Sequence, residues 1–147
     1  MKFKRNIKIL QIRILYFILN LFEKKPEQNI ITAFVEKYPK SEYPVWHKSK
    51  DGSWQVSFDE NQHPSIAVFA NDGKWLGSRF FIQLLLLPQN VRDAFESQFN
   101  KEFIMGVYDL KFKTANLYEF LICENHKTKS VLFSTSGLLL NITSLKS

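Results

Sequence analysis

The stretch FANDGKWL, Phe69–Leu76, decides how the chain is read, because FSTSGLLL, Phe133–Leu140, repeats its plan sixty-four residues later. In each, an apolar segment ends on phenylalanine, a polar run leads into a glycine, and a second apolar stretch leaves it. Glycine is the residue a chain uses where a tight turn needs a positive φ. Upstream of the first turn, Trp54, Val56 and Phe58 alternate with Gln55, Ser57 and Asp59, the mark of a half-buried strand, and Ile66–Phe69 supplies the next strand. Tyr118, Phe120 and Ile122 take the same places at an offset of 64, followed by Val131–Phe133. Asp51–Gly52 marks a hairpin from a strand near Val45–Lys48, and Ile104–Phe112 is its counterpart in the second half. A further strand is expected after each glycine turn, from Trp75 to about Leu86 and over Leu138–Ile142.

Each half also begins with a helix. Pro26 can open the first, Ile31, Phe34, Val35 and Tyr38 fall at i, i+3, i+4 and i+7, and Pro39 stops it. Pro88 opens the second, with Val91, Ala94, Phe95 and Phe99 as its stripe. Ala33, Phe34 and Tyr38 map onto Ala94, Phe95 and Phe99 at an offset of 61, so a longer strand arm over Phe103–Lys113 absorbs three residues. The expected fold class is therefore α+β: two tandem units, each one helix followed by three or four antiparallel strands, forming a shared antiparallel sheet with the helices packed on one face. A unit of about 55 residues buries too little surface to be comfortable alone, and a shared sheet removes that difficulty. Residues 26–147 are read as one domain made of two units, about 27–86 and 87–142. The run FFIQLLLL, Phe80–Leu87, joins them and is expected to be central in the sheet or roofed by a helix.

The 147 residues are 45% apolar, with fourteen phenylalanines, which is ample material for a core. The formal charge of +6 is carried entirely by residues 1–25, with seven basic side chains against Glu23; residues 26–147 hold thirteen of each sign. The body has no net field to attract a phosphate backbone, so no nucleic acid is expected as partner. The leader MKFKRNIKILQIRILYFILNLFEKK resembles an export signal in its basic start and apolar run, yet Gln11 and Arg13 interrupt the run and no small-x-small cleavage site follows. An N-terminal helix packed on the domain or lying at a membrane surface is the other reading. Its longest uncharged run, Ile14–Phe22, is about half a membrane span, so no transmembrane span is expected.

Chemistry is sparse. His47, His63 and His126 are far apart and form no metal-ligand spacing, and His63 and His126 sit in polar turns. Asp51, Asp59, Glu60 and Asp72 are turn formers, as are Ser134 and Ser136 around Gly137. Cys123 stands alone, which excludes an internal disulfide, and its neighbours Phe120–Ile122 suggest a strand interior. No phosphate-binding glycine loop or nucleophile elbow occurs. No catalytic residue, cofactor or metal site is therefore expected. The tryptophans are asymmetric: Trp46, Trp54 and Trp75 all fall in the first half, opposite Val107, Tyr118 and Leu139 in the second. Trp54 lies in a clean alternation and reads as core. Trp46 and Trp75 serve either core packing or a partner-binding surface, since tryptophan dominates interface hot spots.

The ordered set AFVEKYP (Ala33–Pro39), Trp46, WQVSF (Trp54–Phe58), VFANDGKWL (Val68–Leu76) and LPQNV (Leu87–Val91) resembles the PepSY-like proteins described as beta-lactamase-inhibitor-like. LFSTSGLLL (Leu132–Leu140) is similar to the closing half of the same domain, so the resemblance covers about residues 27–142. It implies a tandem pair of helix-plus-strand units, export in a bacterial cell, and hence a periplasmic or secreted place. The family continues the DGKWL turn with an acidic residue where this chain has Gly77, Ser78 and Arg79. Related modules are associated with restraining peptidases, which implies protein binding rather than catalysis. The expected function is a non-enzymatic exported binding module for a protein or peptide, acting through its strand face and hairpin loops. A small-ligand binder or enzyme with a helix–sheet pocket and a structural cell-envelope component are the alternatives.

Overall fold

The computed structural model describes residues 25–99 and 103–145; the leader, but for Lys25, lies outside them. Helix α1 (Gln28–Lys37) precedes strands β1 (Ser41–Lys48), β2 (Trp54–Glu60), β3 (His63–Phe69) and β4 (Trp75–Phe81). Helix α2 (Gln89–Phe99) precedes β5 (Phe103–Phe112), β6 (Asn116–Glu124), β7 (Lys127–Ser134) and β8 (Leu139–Ser144). The strands follow chain order in an eight-stranded sheet. The fold is α+β with two tandem helix-plus-strand units, and the chain divides after Leu76 into two compact parts.

In the first unit, Ile30 and Phe34 are the buried stripe of α1, with Tyr38 buried just past its end. Val35 is exposed, contrary to the expected stripe. The helix stops where the N–H of Tyr38 bonds to Phe34 O at 2.8 Å, one residue before Pro39. Phe34 is the centre of an aromatic cluster, edge-on to Trp46 at 5.3 Å, Phe58 at 5.1 Å and Phe69 at 6.3 Å. Such tilted pairs align ring edges with ring faces and add to the burial itself. The β1–β2 hairpin turns at Asp51–Gly52 as expected, with Gly52 at φ +90°. Asp51 Oδ1 accepts from both the hydroxyl and the N–H of Ser53, which holds its carboxyl below the ordinary aspartate range.

The second unit repeats the plan with different side chains. Val91 and Phe95 are buried on α2, and Phe95 stacks on Phe120 at 4.0 Å, with Phe133 edge-on to Phe120 at 5.6 Å. Val107, Ile122, Val131 and Leu87 complete this core.

The two quoted turns have one explanation. Gly73 and Gly137 both sit at φ +85°, and each turn is closed by paired backbone bonds, Ala70 with Lys74 and Ser134 with Leu138. Each glycine also lies against the first turn of its own unit's helix. A Cβ at Gly73 would be 3.3 Å from Asn29 O, and one at Gly137 would be 2.8 Å from Asn90 O. A side chain there would need both a left-handed backbone and the space that the helix occupies.

The apolar run after β4 departs from expectation. The strand ends at Phe81 rather than near Leu86, and Leu84–Leu86 form a 3-10 turn. Phe80 and Phe81 do lie in the interior strand β4, and Ile82, Leu84 and Leu87 reach the α2 core. Leu85 and Leu86, however, are 76% and 71% exposed, so the run is not buried throughout. Leu87 explains the turn: it must enter the core while Pro88 holds it extended, at φ −65° and ψ 149°. The tight turn that delivers Leu87 inward faces its two predecessors outward.

Candidate protein-binding face

Alternation along the strands assigns the two faces of the second unit. Val107, Phe120 and Val131 are cross-strand neighbours in the α2 core, so Tyr108, Glu119 and Leu132, also cross-strand neighbours, lie on the other face. Arg79 and Phe81 pair with Leu110 and Tyr108 and join that face from β4.

These side chains form an ordered ladder. Arg79 Nε donates to Glu119 Oε2 at 2.7 Å, and Ser130 Oγ donates to Glu119 Oε1 at 2.6 Å. The Arg79 guanidinium lies 3.5 Å from the Tyr108 ring centroid, and Phe81 meets the same ring edge-on at 6.0 Å. Both Glu119 oxygens are thus engaged, and Arg79 is held by a charge-assisted bond on one side and a ring on the other. The Glu119 side chain is 13% exposed and that of Arg79 30%. Holding such long side chains in place before a partner arrives saves about 0.5–1.5 kcal/mol of ordering entropy for each. The sequence reading did not single out this set. Arg79 drew notice only as a departure from the family's acidic position, and Glu119 lies forty residues away in sequence, reachable only through strand register.

The two tryptophans named from sequence fall in different environments. Trp46 is 7% exposed, with its ring against Phe34, Trp54 and Phe69. Trp75, half-buried at the start of β4, has Lys37 Nζ 3.9 Å from its ring centroid. Lys37 is the last residue of α1, where the helix dipole favours a cation. Trp54 is buried in the core.

The histidines are dispersed: His47 on β1, His63 at the start of β3, and His126 in the β6–β7 turn. Among the described residues no group of three or more His, Cys, Asp or Glu side chains gathers as a metal would require. A shallow groove of about 300 Å3 runs between Phe81–Leu84 and Ile104–Val107, with Gln83 its one polar side chain. A small-molecule site needs several convergent polar groups, which this groove does not supply. Burial first, then the charge of Asp109, pushes the Tyr118 phenol above the ordinary range.

No protein-family model and no curated protein sequence matches the chain. Solved structures do. A BLIP-like protein from Bacteroides fragilis superposes with a TM-score of 0.75 at 20% identity, covering 87% of this chain and 92% of that one. The fold is BLIP-like. A DUF2874 family protein from Bacteroides ovatus gives a TM-score of 0.76 at 20% identity, over 83% of this chain and 89% of that one. A protein assigned to the periplasm of Bacteroides eggerthii gives 0.76 at 17% identity, over 82% and 90%. The tandem-unit architecture expected from the resemblance is thus the observed one. Among the described residues, no helix is long and apolar enough to cross a membrane.

Proposed function

We propose that the chain is an exported, non-catalytic module that binds a protein partner through the face of its strands opposite the helices, together with the hairpin loops. The observation that carries this reading is the pre-organised Arg79–Tyr108–Glu119–Ser130 ladder with Phe81 beside it. Arginine and aromatic side chains fixed in advance are what interface hot spots consist of. The BLIP-like fold and the periplasmic assignment of a relative support export and binding as the working context. Trp75, the accessible member of the named pair, follows the β3–β4 turn and lies against Lys37 of α1, so it adds an indole to the loop surface of the first unit rather than to the face opposite the helices. Trp46 supports that opposite face of the first unit from behind, since His47, next to it on β1, alternates to the outward side.

The test is capture from bacterial periplasmic extract by the immobilised chain, repeated with Tyr108→Ala, Trp75→Ala and Trp46→Ala. A defined partner lost from Tyr108→Ala and Trp75→Ala, with thermal unfolding little changed, supports the reading. Trp46→Ala is expected to weaken capture only in step with lost stability. Equal capture by the first two variants, or no partner at all, would overturn it.

A further inference from the structure

The two outer strands of the sheet are built differently. β1 has Pro44, which lacks an N–H, a register shift between Glu42 and Val45, and Tyr43 at φ +53°. Proline, charge and irregularity are the usual means of keeping an edge from pairing with another chain. β8 bulges at Leu140, where its register on β7 shifts, but it has neither proline nor charge: from Leu138 to Leu145 the sequence is LLLNITSL. Leu138, Leu140, Ile142 and Leu145 are all exposed.

The backbone groups left open on β8 can be assigned. Leu145 donates its N–H to Thr128 O at 2.9 Å, so Leu145 and, two residues back, Thr143 face β7. Inward and outward residues alternate in an antiparallel ladder, so the N–H and C=O of Ile142 and Ser144 point away from β7. What such groups accept is another extended backbone.

We propose that the occupant is a second copy of this chain, adding its own β8 antiparallel across a two-fold axis at Ile142. A two-fold contact must be self-complementary, and a strand without charge meets its own copy with no like-charge repulsion. In this register Ile142 meets Ile142, with their outward N–H and C=O groups exchanged. Asn141 meets Thr143, a hydrogen-bonding match on the face away from α2, and the bulge at Leu140 ends the regular pairing beyond them. Four partly exposed side chains and one strand edge fall short of the about 800 Å2 per partner of a standard stable interface. The dimer is therefore weak and dependent on concentration.

Sedimentation of the full chain between about 10 μM and about 1 mM tests this. The average mass should climb from one chain toward two. Ile142→Lys and Ile142→Glu should each hold the chain monomeric, with self-association at least about tenfold weaker, as like charges meet at the axis. Mixing the two should restore the two-chain mass. Ile142→Pro should also abolish dimers, because it removes only an outward N–H, and the amide of Ile142 in the unaltered chain should gain exchange protection as dimer forms. A monomer throughout, a dimer that survives both charged variants, or open-ended growth would overturn the proposal. So would protection of the Ile142 amide that requires an added extended peptide, which would give the edge to a foreign strand.

Discussion

Replacing Gly137 by alanine isolates the contact on which the repeated architecture turns. Two effects add. The residue sits at φ +85°, where any L side chain costs about 1–2 kcal/mol, offset by about 0.4–1 kcal/mol from the stiffer unfolded chain. The new Cβ would also lie 2.8 Å from Asn90 O and 3.3 Å from its carbon. Both atoms are backbone, held in the first turn of α2, so no rotamer change relieves the contact. Forcing the turn and helix apart costs about 1–3 kcal/mol, as overpacking does. The total is about 2–4 kcal/mol, and the midpoint of thermal unfolding should fall by about 10 °C. Gly52→Ala is the control: its φ is +90°, but its Cβ would meet only the flexible Asn71 side-chain nitrogen at 3.2 Å. It should lose only the dihedral part, about 1 kcal/mol. Urea titrations of the three proteins, with slopes compared to check that two-state unfolding is kept, measure the difference. Equal losses in the two variants would show that helix contact contributes nothing and would refute the reasoning.

Other outcomes follow from the cores and the ladder. Phe95→Ala removes a buried ring stacked at 4.0 Å and should cost about 3–5 kcal/mol, whereas Val35→Ala, on an exposed position, should change stability by no more than about 0.5 kcal/mol; chemical denaturation separates them. Glu119→Ala leaves Arg79 and Ser130 without their common acceptor and should cost about 1 kcal/mol, a modest figure because both ends of the ion pair keep some solvent; 1 M salt should shrink the effect in the same assay. The Tyr118 phenol is raised in the folded state, so the fold binds that proton more tightly than the unfolded chain does. Its contribution is complete below the ordinary tyrosine value of 10.0 and is lost as pH climbs through the folded value; absorbance titration should place Tyr118 above that ordinary value, and Asp109→Asn should lower it.

Legibility in the sequence followed the range of the interaction. The glycine turns, the strand alternations and the Phe34 and Phe95 anchors were readable because each is set within a few residues. Val35 was misplaced because it lies one turn on from Ile31, at the edge of the apolar stripe, and a stripe does not state its own width; the buried line runs through Ile30 instead. The end of β4 was misread because apolar composition does not distinguish a buried run from one turned outward by the need to deliver Leu87. The ladder was not readable at all. Arg79, Glu119 and Ser130 meet only if four strands hold a particular register, and a slip of one residue would send each side chain to the opposite face.

The surplus tryptophan of the first unit can be explained by packing, and the explanation is open to test. Trp46 pairs across β1 and β2 with Val56, while Val107 pairs across β5 and β6 with Phe120. All four are buried under their own helix. The two units thus place one large aromatic and one valine at the same pair of positions, in opposite order, which conserves volume beneath Phe34 and beneath Phe95. Trp46→Val alone opens a cavity and should cost about 3–4 kcal/mol, and Val56→Phe alone overfills the site at about 1–3 kcal/mol. Made together, they reproduce the second unit's arrangement within the first. The double variant should be less destabilised than the two losses added, by about 1–3 kcal/mol of coupling in a double-mutant cycle. Strict additivity would mean that the two positions do not share space, and the tryptophan asymmetry would then lose its packing account.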